Sequence, residues 1–154
     1  MKRNAALRLA LSVILVFSVL LGFAVGASEL AEYEIILNVP QTAAALEFFV
    51  VIPAAAEYVG FEPDMRPENP QSVHFAEKAE SGGVWICVYA DFNAYKGNSV
   101  VPGKVLVRMA NPEQSLNITN VSAYSVIDFY TPNGAVVGAA SATFVESRRV
   151  NTPP

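Results

Sequence analysis

Six residues and one histidine are the groups on which a reaction could be built in this 154-residue chain. Paired carboxylates for glycoside hydrolysis could come from Glu57, Glu62, Asp64, Asp91 or Asp128, but fourteen Asp plus Glu always allow some pair, and nothing in their spacing selects one. His74 and Cys87 are the single histidine and the single cysteine. Thirteen positions apart and in different segments, they give little basis for a Cys/His nucleophile pair or a metal site. Cys87 lies inside the apolar run Val84-Trp85-Ile86-Cys87-Val88-Tyr89 and reads as a small buried or semi-buried hydrophobe, and with one cysteine no internal disulfide can form. No G-x-S-x-G, H-E-x-x-H, Walker, dinucleotide or EF-hand pattern occurs. The residues therefore point away from an enzyme, and no cofactor is implied. Two N-x-S/T sequons, at Asn117 and Asn120, fall in an expected strand and are read as chance matches.

The N-terminus carries a different signal. Lys2, Arg3 and Arg8 precede an apolar run from Leu9 to Val25, followed by the small residues Gly26, Ala27 and Ser28. This is the charged-then-apolar order of a Sec-type secretory signal, and Val25-Gly26-Ala27 places cleavage after Ala27. The alternative is an uncleaved anchor, because the run reaches the lower edge of the roughly 17–25 residues that span a bilayer. Either way the domain is expected outside, secreted or at the cell envelope, with membrane contact only through this segment if it is kept. Beyond residue 27 there are seven Lys plus Arg against fourteen Asp plus Glu, a net charge of −7. So acidic a surface argues against a nucleic-acid partner, which needs clustered cations.

The elements that must position any site read as β throughout. β-branched and aromatic runs alternate with Pro, Gly, Asn and Asp clusters. The expected strands are Tyr33 to Val39, Ala45 to Ile52, Glu57 to Phe61, Val73 to Ala76, Val84 to Phe92, Lys104 to Ala110, Ser115 to Val121, Ser125 to Tyr130, Ala135 to Val137 and Ala142 to Val145. About nine or ten such strands predict an all-β, two-sheet β-sandwich of jelly-roll type over 28–147, with 1–27 as the signal peptide and 148–154 as a frayed tail. Asn133-Gly134 predicts a tight hairpin, the three prolines between Pro63 and Pro70 a long surface loop, and Ser81-Gly82-Gly83 the turn into the strongest strand. One turn of helix over Ala54 to Glu57 is the helical alternative.

Two strands carry apolar side chains on both faces. From Ala45 to Ile52 one face holds Leu46, Phe48, Val50 and Ile52, the other Ala45, Glu47, Phe49 and Val51; from Val84 to Asp91 the division is Val84, Ile86, Val88 and Ala90 against Trp85, Cys87, Tyr89 and Asp91. A sandwich buries one face, so the second set is either covered by loops or neighbouring side chains or offered to a partner.

The segment from Tyr33 to Val137 resembles the cohesin domain, the jelly-roll module by which scaffold proteins hold dockerin-bearing enzymes. The stretches that carry the resemblance are Glu34 to Pro40, Leu46 to Ile52 with Tyr58 to Phe61, Gly83 to Asp91 with Lys96-Gly97-Asn98 and Gly103 to Met109, then Leu116 to Ser122 and Asn133-Gly134. The resemblance leaves the family's usual first strand without a counterpart between Ser28 and Glu32, and Ile52-Pro53-Ala54-Ala55 stands where the third strand usually ends differently. It implies a non-enzymatic binding module that recognises a dockerin-like helical protein through a sheet face, with Glu47, Phe49, Trp85, Tyr89 and Asp91 as the partner-binding residues. Carbohydrate-binding modules of related topology are the alternative, with Trp85, Tyr89, Tyr95 and Tyr130 as stacking candidates for a polysaccharide; a small envelope-anchored structural protein is the third reading.

Overall fold

Ten strands follow one another in the computed structural model, which describes residues 28–64, 73–90, 94–112, 115–128 and 136–150. They are β1 (Glu29–Ala43), β2 (Ala45–Val51), β3 (Ala56–Pro63), β4 (Val73–Glu80), β5 (Gly83–Ala90), β6 (Tyr95–Val100), β7 (Gly103–Met109), β8 (Asn117–Asp128), β9 (Val136–Ala140) and β10 (Thr143–Arg149). All their pairings are antiparallel. They form two sheets: a front sheet in the order β4-β5-β2-β8-β9, and a back sheet in the order β10-β1-β7-β3 with β6 also on β1. The chain passes repeatedly from one sheet to the other, so each sheet includes strands distant in sequence, and the all-β sandwich expectation holds.

The long β1 organises the back sheet. Leu37 pairs with Phe144 on one side and Val100 on the other, while Tyr33 pairs with Arg149 and Val105. Strands β6 and β7 therefore lie end to end along the same edge of β1. Pro102, fully buried, sits at the break between them, where a residue without an N–H can be tolerated. Its carbonyl still accepts from Asp64 N at 3.0 Å. Ala44 then turns the chain from β1 to β2, donating to Tyr124 O at 2.7 Å and accepting from Ala90 N at 2.9 Å.

Between the sheets lies one core. Leu46, Phe48 and Val50 from β2 and Val84, Ile86 and Val88 from β5 face Tyr33, Ile35, Leu37, Phe61, Val105 and Val107. Phe48 and Phe61 meet edge to face across the gap, ring centres 6.2 Å apart at 66°, an arrangement that suits their quadrupoles. At the open margin, Phe61 meets Phe75 at 5.5 Å, and Tyr58 donates its hydroxyl to the Glu77 carboxylate. This joins β3 at the edge of one sheet to β4 at the edge of the other.

Both glycines of the β4–β5 turn are required by the geometry. Gly82 has φ of 83° in the β4–β5 turn, a conformation that costs other residues. At Gly83 a side chain would collide with the Val50 carbonyl and with the Phe49 ring, whose nearest atom would lie 2.7 Å from a Cβ. The expected turn at Ser81-Gly82-Gly83 is present for these reasons.

Several element boundaries differ from the sequence expectation. Strand β1 begins at Glu29, and Glu29 to Glu32 pair with Met109 to Leu106, so a strand does occupy the stretch before Tyr33. Val73–Ala76 is the first half of an eight-residue strand, and β6 was not expected because Lys96, Gly97 and Asn98 read as a loop. The two strands expected over Ser115 to Tyr130 are one, β8, with an extra residue at a bulge: Glu47 pairs with Ser122 and Phe49 with Thr119. Asn120 takes φ of 51° there, which asparagine tolerates better than most residues. The last strand continues to Arg149, so the front of the expected frayed tail is paired backbone. The Ala54–Glu57 stretch makes a turn, with Ala56 N donating to Pro53 O at 2.8 Å, and then enters β3 without helix. The Asn133-Gly134 hairpin, residues 65–72 of the proline loop and the N-terminal segment 1–27 lie outside the described residues.

Candidate functional site

The register of the front sheet decides which face of each strand points outward. Ala45, Glu47 and Phe49 of β2 stand opposite Tyr89, Cys87 and Trp85 of β5. On the far side of β5, Tyr89, Cys87 and Trp85 stand opposite His74, Ala76 and Lys78 of β4. On the far side of β2, Ala45, Glu47 and Phe49 stand opposite Tyr124, Ser122 and Thr119 of β8. Directly opposed residues share a face, so these side chains form one outward surface four strands wide.

Of the five expected partner-binding residues, Glu47, Phe49, Trp85 and Tyr89 are on this surface together. Asp91 lies outside the described residues. Tyr89 is 44% exposed and stacks on His74, ring centres 5.3 Å apart and 25° from parallel. Phe49 and Trp85, both half-buried, lean on each other at 5.3 Å and 57°. Their partial burial comes in part from this lateral contact, which leaves aromatic area facing outward. Lys78 and Trp85 both donate to Glu80, Nζ at 2.7 Å and Nε1 at 3.1 Å. The Lys78 bond first, and then the indole bond, hold the Glu80 carboxyl below the usual range.

Lys78 and Glu80 were missed because β4 was expected to end at Ala76, and His74 because nothing local showed that β4 pairs with β5. Their signal was the alternation His74, Ala76, Lys78, Glu80, every second residue of a longer strand. Tyr124 was missed because the bulge at Asn120 breaks the alternation that ties β8 to β2.

The opposite surface of the sandwich is of another kind. On the back sheet, Lys104 bridges Glu32 at 2.8 Å and Glu62 at 3.2 Å, Arg108 bridges Glu57 at 2.8 Å, and Arg148 bridges Glu34. These are cross-strand ladders whose charges satisfy one another. Glu57 and Glu62, two of the carboxylates considered for hydrolysis, are spent in them.

Nucleophilic chemistry at Cys87 gains no support from its surroundings. The register puts His74 and Cys87 on the same face of adjacent strands. Burial first, and then the Glu47 charge, raise the thiol above its ordinary value, the reverse of an activated cysteine. Among the described residues, no three of His, Cys, Asp and Glu form a group that could hold a metal. As for the carbohydrate alternative, Tyr95 is a core residue at 8% exposure and Tyr130 lies outside the described residues. Trp85 and Tyr89 are the stacking candidates left on the surface.

Neither a protein-family profile nor a curated protein sequence matches the chain. Among solved structures, the sandwich is similar to the non-cellulosomal cohesin from the hyperthermophilic archaeon Archaeoglobus fulgidus, with a TM-score of 0.54 at 12% identity over 82% of this chain and 84% of that one. At that identity the likeness is one of fold, and the fold of this chain is a cohesin-like β-sandwich.

Proposed function

We propose that this chain is an exported, non-enzymatic binding module that recognises a partner protein through the outer face of its front sheet. The observation that carries the reading is the contrast between the two outer faces. One carries mutually satisfied ion pairs interspersed with aliphatic side chains such as Leu30 and Val59; the other presents the aromatic set Phe49, Trp85, Tyr89, His74 and Tyr124 with few charges. An aromatic, lightly charged face with rigid anchors is what a protein interface needs at its centre. The cohesin-like fold supports a module of this class, and a dockerin-like helical module laid across the four strands is the partner that suits it. The N-terminal segment, with its cationic start and apolar run, supports export.

The test is capture of a partner from the secreted fraction of the producing organism by wild type and by Glu47→Lys combined with Tyr89→Ala. Loss of an exposed aromatic anchor together with a charge reversal is expected to weaken capture by about 2 kcal/mol or more, roughly thirtyfold. Undiminished capture by the double variant removes this face from consideration. A polysaccharide remains the second reading because Trp85 and Tyr89 share the surface. Affinity electrophoresis in polysaccharide gels, with loss of retardation in Trp85→Ala, is the result that would favour it.

A further inference from the structure

Within that face one charge has no counterpart among the described residues. Glu47 lies in the middle of β2, half-buried, between Cys87 on one side and Ser122 on the other. Among the described residues no cation lies within ion-pairing distance of it and no side chain donates to it. The cation two strands away on β4, Lys78, is taken by Glu80. Cys87, directly opposite, favours its neutral thiol and supplies neither a cation nor a second anion. By contrast Glu29, Glu32, Glu34, Glu57 and Glu62 of the back sheet are all ion-paired.

Glu47 also borders a shallow depression of about 340 Å³, walled by Trp85, Cys87 and Ala76 and rimmed by Lys78 and Glu80. An apolar partner surface laid over this depression would strip water from the carboxylate without replacing its hydrogen bonds. That penalty outweighs what burying any one neighbouring side chain returns. A partner that brings a cation turns the same carboxylate into an attraction and a register mark.

We infer that the depression beside Glu47 is a socket for a basic side chain, arginine in preference to lysine, projecting from the partner protein; the inference rests on the protein-binding reading of this face. Arginine is preferred because its planar guanidinium can fork onto a carboxylate and lie against an indole at the same time, whereas an ammonium offers a point charge.

Trp85 is the chain's single tryptophan, so its indole N–H gives one resonance that reports the depression. The experiment titrates the isotopically labelled protein with N-acetyl-arginine N-methylamide and, separately, with the isosteric but neutral N-acetyl-citrulline N-methylamide. The expected result is a saturable shift of the indole resonance with the arginine probe, at least about tenfold tighter than with citrulline. That advantage should fade between about 50 and about 500 mM salt. Glu47→Gln, nearly isosteric at a half-exposed position, should reduce the arginine probe to the citrulline level, while Glu57→Gln on the back sheet should not. An equal response to the two probes, no response to either, or an unchanged response in Glu47→Gln overturns the socket. Failure of the underlying reading shows separately: capture of a partner protein that survives Tyr89→Ala and Trp85→Ala removes the face, whereas capture lost in those variants but intact in Glu47→Gln leaves the face and removes the socket.

Discussion

Two buried tyrosines are treated differently by this fold. Tyr33, 1% exposed, donates its hydroxyl to the Pro112 carbonyl; Tyr95, 8% exposed, has a buried hydroxyl with no partner among the described residues. An unsatisfied buried hydroxyl costs about 1–3 kcal/mol, so Tyr95→Phe is expected to stabilise the domain by about 1 kcal/mol in urea unfolding at neutral pH. Burial first, then the nearby Asp64 charge, then Cys87, push the Tyr95 phenol up to about 12 from its ordinary 10.0. A raised value means the folded state favours the neutral phenol. Its contribution is full below pH 10.0 and is lost as pH rises from there through about 12. The stability gap between Tyr95→Phe and wild type should therefore widen across that window. A gap that stays constant with pH contradicts the assignment. From sequence Tyr95 reads as an exposed stacking candidate, because Tyr95-Lys96-Gly97-Asn98 has the composition of a loop; its burial comes from β1 pairing beside it.

Strand β10 shows how an element is held without much apolar weight. Most of its residues are exposed or half-exposed, and its place depends on pairing with β1 and on side-chain anchors. Ser147 donates to Leu116 O at 2.8 Å, Arg148 pairs with Glu34, Arg149 pairs with Glu29, and Val150 N donates to Glu32 O at 3.0 Å. Exposed ion pairs are each worth little, but the backbone bonds lost with them are not. Removing 151–154 is expected to leave the urea midpoint unchanged, whereas removing 147–154 should cost about 2 kcal/mol or more. Equal stability of the two truncations would mean that the last turn of β10 is dispensable. A frayed tail was a fair reading of Arg148-Arg149-Val150-Asn151, since charge and lack of alternation signal solvent. The glutamates that bind these arginines are more than a hundred positions away, where no local pattern can register them.

On the scale of the molecule, the sandwich has an ionic back and an aromatic front, and β1 opens it two residues after the expected cleavage point. If export proceeds as the N-terminal segment suggests, intact mass of the secreted protein should correspond to a chain starting at Ser28, and a membrane-held chain still beginning at Met1 would instead mark an anchor. The sequence by itself determined that the domain is all-β, that β2 and β5 have two apolar faces each, and that Glu47, Phe49, Trp85 and Tyr89 fall on alternate positions, because strand alternation is a local property with a period of two. Only the tertiary structure decided which face is core. Leu46, Phe48 and Val50 are buried because β1, β3 and β7, from three separate stretches of chain, pair into a second sheet that covers them. The other face is left outward with a carboxylate that no cation among the described residues neutralises, and the sheet pairing is long-range, so no window of sequence contains it.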